Sequence, residues 1–308
     1  MKQKNNSIYL ERGQIDIEKW DNCIARAYKG LPYAFSWYLD VVATNWGGMV
    51  WGDYEVILPL IWKKKAGIHY LYQPFFTQQL GFFSRNPVTN SKKHQLLEAI
   101  PQKFLYIDIQ ANPSSFCEYK GFCFSEKPNY ILPLNKPYEK LYASFSQNIK
   151  RSIKRAARHQ PEWIENVTPE TTISIYKEFV AQRTPELKAN DYTNLLRLME
   201  VSKQKGIGKN YGLKVGEAWG TVGFFLFSHH RIINLFPATT QVGRQAGTSA
   251  FLLNKLIETH SDSQQILDFE GSAIPGIAHF YRKFGAVQEN YWGIRCNRLP
   301  HWLKWLKP

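Results

Sequence analysis

Hydrophobic residues recur first with a helical and then with a strand period along the first part of the chain. In segment 14–45, Ile17, Trp20 and Ile24 lie at helical spacing, and the Gly-Leu-Pro sequence at 30–32 divides the segment into two predicted helices. Short links that contain glycine then join runs rich in β-branched and aromatic residues, which predicts hairpins. The elements predicted next are strands over 49–51, 54–63 and 68–72, a helix over 91–99, and strands over 104–109, 117–124 and 130–134.

The Asn-Lys-Pro sequence at 135–137 predicts a junction, and a second series of elements follows it. Their order, with helices on both sides of three long strands, is typical of an α/β fold with a mixed sheet. A chain of 308 residues also exceeds the ~250–300 residues at which a single core stops growing. We therefore predict two domains, 1–135 and 136–308. The elements predicted in the second are helices over 138–159, 169–181, 192–205, 250–259 and 275–284, and strands over 163–167, 211–215, 221–228, 231–237, 265–270 and 291–295.

The net charge is strongly positive and unevenly distributed. The chain carries 39 Lys+Arg against 25 Asp+Glu, a formal net charge of +14. Residues 1–135 hold 15 basic and 11 acidic residues (+4), and residues 136–308 hold 24 and 14 (+10). A field of this sign attracts phosphate-bearing partners such as nucleotide carriers, RNA or anionic lipid headgroups. The second domain is the expected place for an anionic ligand, and a solvated basic surface without a ligand is the open alternative.

The four cysteines and the N-terminus bear on the cellular compartment and on metal binding. The spacings of Cys23, Cys117, Cys123 and Cys296 match no zinc pattern, and so few cysteines in a long chain indicate reduced thiols in a cytoplasm. No apolar core follows the basic N-terminus, and no run of ~18 apolar residues occurs, so neither a secretory signal nor a membrane span is predicted. We expect a cytoplasmic protein without a metal site.

A link rich in Gly, Ser and Thr between a predicted strand and a predicted helix is the leading candidate for ligand binding. It covers residues 241–249, Gln-Val-Gly-Arg-Gln-Ala-Gly-Thr-Ser, and directly precedes the helix over 250–259. A helix that begins after such a link presents backbone N–H groups and the positive end of its dipole to a phosphate. Gly247 would let the backbone approach the ligand closely and Arg244 would add charge, which predicts a pyrophosphate site.

The pattern Arg244-x-x-Gly247-x-Ser249 resembles the acyl-CoA-binding loop of GNAT acetyltransferases, Arg/Gln-x-x-Gly-x-Gly/Ala, with serine at the last small position. Tyr281, in a Tyr-x-x-x-Gly sequence that ends at Gly285, resembles the tyrosine that this fold carries near the thioester sulfur. The resemblance implies that Tyr281 is the acid for the leaving group, and a helix aromatic that only packs is the open alternative. The carrier-binding residues it implies are Arg244, Gln245, Ala246, Gly247, Thr248 and Ser249.

Three further segments resemble the Fem-type peptidoglycan-bridge aminoacyltransferases and their tandem-GNAT relatives. Residues 145–156 resemble the basic helix that opens their second domain, 73–81 an extended core segment of their first, and 268–272 (Asp-Phe-Glu-Gly-Ser) with the Phe-Gly-Ala at 284–286 their terminal half. The resemblance covers about residues 15–297. It implies two tandem GNAT-like α/β domains, each a mixed, largely antiparallel sheet flanked by helices. The coiled-coil arm of some Fem enzymes has no counterpart, because the chain has no heptad run.

For function, the resemblance implies transfer of an acyl or aminoacyl group from an anionic carrier, acyl-CoA or aminoacyl-tRNA, to an amine. A cell-wall or envelope precursor is the acceptor class it points to. The carrier would be a co-substrate, so no tightly bound cofactor is expected. The chain has no P-loop and no nucleophile elbow, which disfavours ATP hydrolysis and a hydrolase triad. A tandem-GNAT module that binds RNA or an anionic surface without catalysis is the alternative.

The helix predicted over 138–159 has one apolar and one strongly basic face. Leu141, Phe145, Ile149 and Ile153 form the apolar stripe. Like charges on one face repel each other, so a tRNA acceptor stem, a UDP-linked precursor or an anionic surface such as a membrane would stabilise the face when bound. A DNA partner is not expected, and a solvated face without a ligand is the alternative. The cations on this face are Lys150, Arg151, Lys154, Arg155 and Arg158.

Two carboxylates are the candidates for the base of the reaction. Asp268 and Glu270 alternate along the strand predicted over 265–270 and would share one face of the sheet. One of them could take the proton of the attacking amine, directly or through water. In a GNAT fold, backbone N–H groups of the strand over 232–238 would stabilise the oxyanion. The alternative for the carboxylates is structural ion pairing with one of three basic residues, Arg244, Arg282 or Lys283.

Overall fold

The computed structural model describes residues 6–270 and 275–306. The chain forms two compact units: unit 1 comprises Met1–Lys127 with Asn290–Pro308, and unit 2 comprises Pro128–Glu289. The C-terminal segment 290–308, which chain order assigned to the second domain, therefore belongs to unit 1. Gly271 and Ser272 of the Fem-like segment lie outside the described residues. Within the described part, none of the helices has the length and apolar character needed to cross a bilayer.

Unit 1 contains short helices and a mixed sheet. Asp16 begins the first helix, because its side chain accepts a hydrogen bond from the Lys19 backbone N–H at 3.1 Å. The Gly-Leu-Pro sequence separates this helix from the second, as predicted. The elements before the unit boundary are β1 (Ser7–Glu11), α1 (Ile17–Ala25), α2 (Ser36–Val42), β2 (Trp46–Trp51), β3 (Val56–Lys65), β4 (Ile68–Leu71), β5 (Phe83–Ser84), α3 (Asn90–Glu98) and β6 (Phe104–Ala111).

Antiparallel pairing joins β1 to β2, β2 to β3, and β3 to both β4 and β5. These pairs confirm the predicted hairpins and add β1, which the alternation had not revealed. β4 and β6 run parallel, which the intervening α3 makes possible. All six residues of β2 are buried, as are the first six of β3. The core of the unit therefore lies around Met49, Leu58, Leu96 and Phe104.

The remaining elements lead through unit 2 and back. The two strands predicted over 117–124 and 130–134 are one strand, β7, that begins only at Cys123. The last strand, β13, returns to unit 1 because residues Trp292–Asn297 pair antiparallel with β6. The elements are β7 (Cys123–Pro133), α4 (Tyr138–Ser144), α5 (Gln147–Arg158), β8 (Glu162–Glu165), α6 (Pro169–Phe179), α7 (Ala189–Gln204), β9 (Gly208–Val215), β10 (Ala218–Ser228), β11 (Arg231–Thr239), α8 (Gln241–Ala246), α9 (Thr248–His260), β12 (Ile266–Asp268), α10 (Pro275–Arg282) and β13 (Val287–Asn297).

In unit 2 the strand order is β7, β12, β11, β10, β9, β8. β11 and β12 are parallel, and the other neighbours are antiparallel. Helices α5 and α9 share the buried cluster that includes Ile149, Ile153, Leu252, Leu253 and Leu256. The α/β class with a mixed, largely antiparallel sheet is thus confirmed.

The helix predicted over 138–159 is interrupted once. Phe145 is extended (ψ 142°), and the Ser146 hydroxyl accepts a hydrogen bond from the Ile149 backbone N–H at 3.4 Å, so α5 begins anew after Ser146. The predicted apolar stripe is nevertheless buried, with Leu141 and Ile149 each 3% exposed. Ser146, a residue type that favours the N-cap position, was the sequence feature that indicated this interruption of the helix.

The predicted Gly-rich link is in large part helix. Thr240 caps α8, since its hydroxyl accepts a hydrogen bond from the Gly243 backbone N–H at 3.1 Å. A Cβ added at Gly243 would lie 1.9 Å from the Gly220 carbonyl oxygen, so glycine here permits close packing of α8 on β10. The prediction of an open link over 241–249 was therefore wrong, and α9 begins at Thr248 rather than after Ser249.

Candidate active site

The parallel strands β11 and β12 separate soon after they pair. Their register covers only three pairs, from Arg231 with Ile266 to Ile233 with Asp268. β11 continues to Thr239, and among the described residues no strand pairs with its β12-facing edge beyond Ile233. A β-bulge opposite Phe224 and Phe225 adds one residue to β11 at this point. One edge of β11 is thus left with backbone groups that a ligand can approach.

A cavity of about 340 Å³ lies at this edge. β10, β11, α8, α9 and α10 all contribute to its walls, together with the segment after α6. Its size is within the range of small-molecule sites, which are mostly apolar with a few polar groups. Apolar residues that line it are Val222, Phe225, Leu252, Leu253, Ile277 and Phe280, and polar ones are Arg183, Asn234, Arg244, Ser249 and Tyr281.

The start of α9 lacks a side-chain cap. Its N-cap residue is Gly247, which has φ 86° and provides no hydrogen bond to the first turn. The hydroxyls of Thr248 and Ser249 bond instead to Thr221 and Thr239, each at 2.6 Å. The first N–H groups of a helix have no intrahelical acceptor, so this start suits an anion. Ser249 lines the cavity, and the start of α9 therefore borders it.

Helix α5 packs against the same junction. A Cβ added at Gly247 would lie 2.8 Å from the Ser152 carbonyl oxygen and 3.3 Å from Nη2 of Arg155. The exposed Arg155 side chain is therefore beside the start of α9. Arg151, Lys154 and Arg158 are also exposed, whereas the ammonium of Lys150 donates to the Ala143 carbonyl at 2.9 Å. The two predicted anion-binding features meet at Arg155.

The six predicted carrier-binding residues do not share one environment. Arg244 and Ser249 line the cavity. The Arg244 guanidinium donates to the carbonyls of Phe179 and Thr239, at 3.0 and 3.2 Å, and its side chain is exposed. The others serve the backbone or the packing: Gln245 is exposed on α8, Ala246 and Thr248 are buried, and Gly247 forms the junction.

Tyr281 lies on α10 and is 8% exposed. Its ring stacks on Phe269, with ring centroids 4.5 Å apart. Burial raises the pKa of Tyr281, the nearby charge of Glu270 raises it further, and a hydrogen bond with the Asn234 side chain lowers it in part. The phenol is therefore protonated at neutral pH, as a proton donor must be.

Asp268 is part of a buried ion-pair network. Its Oδ2 accepts from Arg231 at 2.7 Å, and its Oδ1 accepts from the Asn129 side chain at 3.0 Å and from the Glu270 backbone N–H at 2.9 Å. Arg231 also donates to Glu289 at 2.8 Å. Both carboxylate oxygens are engaged, which favours the structural alternative, with Arg231 rather than the three predicted basic residues as the partner.

Glu270 does not share a strand face with Asp268. β12 ends at Asp268, and Glu270 has φ 52°, in the left-handed region. The prediction of alternation along a strand over 265–270 was wrong, because the Asp268 side chain bonds the backbone two residues on and turns the chain. Glu270 remains close enough to affect the pKa of Tyr281.

Asn234 was missed by the sequence analysis. It lies on β11, is 3% exposed, lines the cavity together with Tyr281, and is close enough to lower the pKa of that tyrosine in part. A single amide within the apolar run Ile-Ile-Asn-Leu-Phe at 232–236 was the available signal, because a buried strand seldom includes a polar side chain without a partner.

Comparison with known proteins places this geometry in a known fold. No family model and no curated protein sequence matches the chain. Among solved structures, FemX is similar over 97% of this chain and 99% of its own, with a TM-score of 0.71 and 12% identity. A tandem GNAT protein from the clavulanic acid biosynthesis pathway is similar over 96% and 99%, with a TM-score of 0.53 and 12% identity.

A third similar structure is the C-terminal domain of a candidate lysylphosphatidylglycerol synthetase from Agrobacterium fabrum. It covers 91% of both chains with a TM-score of 0.56 and 11% identity. The chain therefore has the tandem GNAT fold that FemX shares, which confirms the predicted fold. Identities this low concern the fold alone.

Proposed function

We propose that this protein is an N-acyltransferase that takes an acyl or aminoacyl group from an anionic carrier and transfers it to an amine. The observation that carries the proposal is the cavity of unit 2, at which the uncapped start of α9, an open strand edge and a buried tyrosine meet. Each is a component that amide formation by acyl transfer requires.

The start of α9 would bind the phosphates of the carrier. The backbone N–H groups of Thr248 and Ser249 lie in the first turn of a 13-residue helix without a side-chain cap. Arg244 at the cavity and Arg155 on α5 supply cations near that turn. Amides, helix dipole and guanidinium groups together favour a polyanion over a neutral ligand. Acyl-CoA and aminoacyl-tRNA both carry such phosphates.

The reaction would proceed beside the open edge of β11. The amine attacks the carrier's carbonyl carbon, and N–H groups of β11 stabilise the oxyanion. The C–N bond forms as the bond to sulfur or oxygen breaks, and Tyr281 protonates the leaving atom. The proton of the amine passes to Glu270 or to solvent.

The acceptor would be a primary amine, and the Fem-type resemblance suggests one on a cell-wall or envelope precursor. The names of two similar structures support acyl or aminoacyl transfer in general terms and do not specify an amine acceptor: one is a tandem GNAT protein of a biosynthetic pathway, and another is a candidate lysylphosphatidylglycerol synthetase. Both the acceptor and the donor belong to the proposal rather than to the fold.

Tyr281→Phe tests the proposal most directly. It removes only the hydroxyl and keeps the ring stack on Phe269. We expect kcat to fall about 100-fold, the lower range for loss of a general acid, while the Kd of the carrier stays unchanged. Binding is measured by calorimetry with coenzyme A and with aminoacyl-tRNA, and turnover by release of free carrier.

Tyr176→Phe is the matched control. Tyr176 is also buried in unit 2 and stacked on a phenylalanine, Phe236, with centroids 3.9 Å apart, and its hydroxyl bonds Thr184 rather than lining the cavity. Loss of the Tyr176 hydroxyl should leave kcat unchanged. Equal effects of the two variants, or full activity of Tyr281→Phe, would contradict the assigned role.

The basic face of α5 supports a second candidate, a module that binds RNA or an anionic surface without catalysis. Four of the five cations on this face are exposed, namely Arg151, Lys154, Arg155 and Arg158. This alternative predicts salt-dependent tRNA binding that is insensitive to Tyr281→Phe, with no turnover of either carrier. Turnover by the wild-type protein rules it out.

A further inference from the structure

The side chain of Asn234 is the least satisfied polar group at the cavity. Asn234 is 3% exposed, and its Oδ1 has no hydrogen-bond partner among the described residues. It lies on β11 next to the bulge, and it lines the cavity together with Tyr281. A buried carbonyl without a partner lowers the free energy of unfolding, so folds seldom retain one without another use for it.

Other buried asparagines of unit 2 show how the fold satisfies such groups. The Asn129 amide donates to Asp268 at 3.0 Å, and Oδ1 of Asn254 accepts from the Tyr138 hydroxyl at 2.9 Å. Asn234 has no such partner for its carbonyl: its side chain is close enough to Tyr281 to lower the pKa of the phenol in part, but its Oδ1 accepts no hydrogen bond from the described residues. Apolar side chains, among them Val222, Phe225 and Leu253, line the same cavity and offer no donor.

We infer that Asn234 binds substrate, its Oδ1 accepting a hydrogen bond from a ligand N–H group beside Tyr281. This inference rests on the proposed acyl transfer and identifies a residue that contacts the reacting groups. A carbonyl oxygen can pair only with a donor, and the substrates of amide formation supply N–H groups. Two sources share this chemistry: the attacking amine of the acceptor and an amide on the carrier's arm.

An amine held in this way is placed for attack. A neutral primary amine can give one N–H to Asn234 while its lone pair is directed at the carbonyl carbon. The new C–N bond forms, the carrier leaves with the proton from Tyr281, and the amine's second proton departs to a base or water. Asn234 gains and loses no proton, so it orients the nucleophile and is not itself the base.

Asn234→Leu is the informative variant, with Asn210→Leu as its matched control. Asn210 is 7% exposed on β9 of the same sheet, and its Oδ1 also has no partner among the described residues, but it does not line the cavity. Leucine has the same branched shape, with two methyl groups in place of the amide atoms, and no polar atom to satisfy. We expect both variants to keep or raise the Tm, and only Asn234→Leu to lower kcat/KM, by at least tenfold.

Two measurements distinguish the sources of the N–H group. If it belongs to the acceptor, Asn234→Leu leaves the Kd of coenzyme A unchanged and raises the KM of the amine, with glucosamine and lysine as probes. If it belongs to the carrier, the Kd of coenzyme A rises about tenfold. Asn234→Asp keeps an acceptor oxygen and should recover more activity than leucine at high pH, where the amine is neutral.

A lower Tm in Asn234→Leu, with activity lost only in proportion to the folded fraction, would show that Asn234 is structural and would overturn the inference. Full activity of this variant would overturn it too. If the wild-type protein binds coenzyme A but turns over neither acyl-CoA nor aminoacyl-tRNA, the proposed catalysis fails. In that case a higher Kd of coenzyme A in Asn234→Leu still supports contact between Asn234 and the ligand, and an unchanged Kd refutes it. If the wild-type protein binds neither coenzyme A nor aminoacyl-tRNA, both proposals fall.

Discussion

Units 1 and 2 each contain a pair of parallel strands followed by an antiparallel strand. They differ in whether a side chain caps the helix that lies between the parallel strands in the sequence. In unit 1, α3 joins β4 to β6, and the Thr89 hydroxyl caps it by accepting from the Lys92 backbone N–H at 3.4 Å. In unit 2, α9 joins β11 to β12, and Gly247 provides no cap. Of these two helices, both within the described residues, only α9 lacks a side-chain cap, so the two units differ at the helix start where the carrier is proposed to bind.

The strand edges differ in the same way. In unit 1, segment 73–81 lies beside the end of β6: Leu80 donates to the Gln110 carbonyl and accepts from the Asn112 N–H, both at 2.8 Å. In unit 2, an open edge belongs to β11, the first strand of the parallel pair, and lines the cavity. In unit 1, segment 73–81 thus forms hydrogen bonds with backbone groups at a strand end. In unit 2, backbone groups at the edge of β11 are left for a ligand.

Ion pairing also separates the units. Arg231 in unit 2 is 8% exposed and joins Asp268 and Glu289. Pairs in unit 1, such as Arg12 with Asp40, have side chains 39% and 37% exposed. Exposed pairs contribute little to the free energy of unfolding, whereas the loss of one partner in a buried network leaves a charge without compensation.

The largest predicted effect comes from a substitution that breaks this ion-pair network. Arg231→Met should lower the free energy of unfolding by about 3–5 kcal/mol, because the buried Asp268 and the partly buried Glu289 would be left without their cation. Arg12→Met in unit 1, which removes a bidentate pair at the surface, should cost about 1 kcal/mol or less. Urea unfolding of both variants measures the difference.

Asp268→Asn completes this test, because it separates a structural role from that of a base. A loss of stability with turnover per folded molecule unchanged supports the ion-pair assignment. Stable protein without activity would restore Asp268 as the base that the sequence suggested.

The second prediction concerns the junction at Gly247. Gly247→Ala combines a positive φ of 86° with a Cβ placed 2.8 Å from the Ser152 carbonyl oxygen, which is a backbone atom. We expect the free energy of unfolding to fall by about 2–3 kcal/mol and the carrier's Kd to rise, since the start of α9 must shift. Thermal unfolding and calorimetry measure the two effects.

Gly216→Ala is the control for the backbone strain. Gly216 also has a positive φ, 58°, but nothing lies within 4 Å of an added Cβ. Gly216→Ala should lower the free energy of unfolding by only about 1 kcal/mol and leave the Kd of the carrier unchanged. If both variants bind the carrier alike, the junction does not contact it.

The third prediction compares cations of the two units. Arg155→Ala should raise the Kd of the carrier about fivefold, an effect of roughly 1 kcal/mol, and should weaken its dependence on salt. Lys64→Ala removes an exposed cation of unit 1 and should change neither quantity. Equal effects would mean that the net charge of +14, rather than the position of Arg155, attracts the carrier.

Local patterns predicted most of the elements, and what they missed depends on distant contacts. Alternation and helical spacing revealed β2–β4 and the buried stripe of α5, because burial of one face imposes those periods. The return of β13 to unit 1 depends on pairing with β6, about 180 residues earlier, which no local pattern records. Resemblance, rather than periodicity, suggested the tandem GNAT fold.

The candidate site shows the same limit. Arg244, Ser249 and Tyr281 were predicted from motifs, and the structure brings all three to one cavity. Asp268 was paired with the wrong cations, because Arg231 begins a different strand and becomes its neighbour only through the parallel register of β11 and β12. Helix α8 was overlooked since a glycine within it usually indicates a loop, whereas here it permits close packing on β10.

The smallest predicted effect concerns pH and again separates the units. Burial lowers the pKa of His260, at the end of α9, below its ordinary 6.5, and the charge of Lys209 lowers it too. The unfolded chain therefore binds the proton more tightly, so the contribution of His260 is complete above pH 6.5 and is lost as the pH falls through that value. Because the ring is partly exposed, we expect less than about 1 kcal/mol. Hydrogen exchange should quicken in α9 between pH 7.5 and 5.5, after correction for intrinsic rates, relative to β3 of unit 1. His260→Gln should abolish the difference, and a difference that persists in this variant would assign the pH dependence to another group.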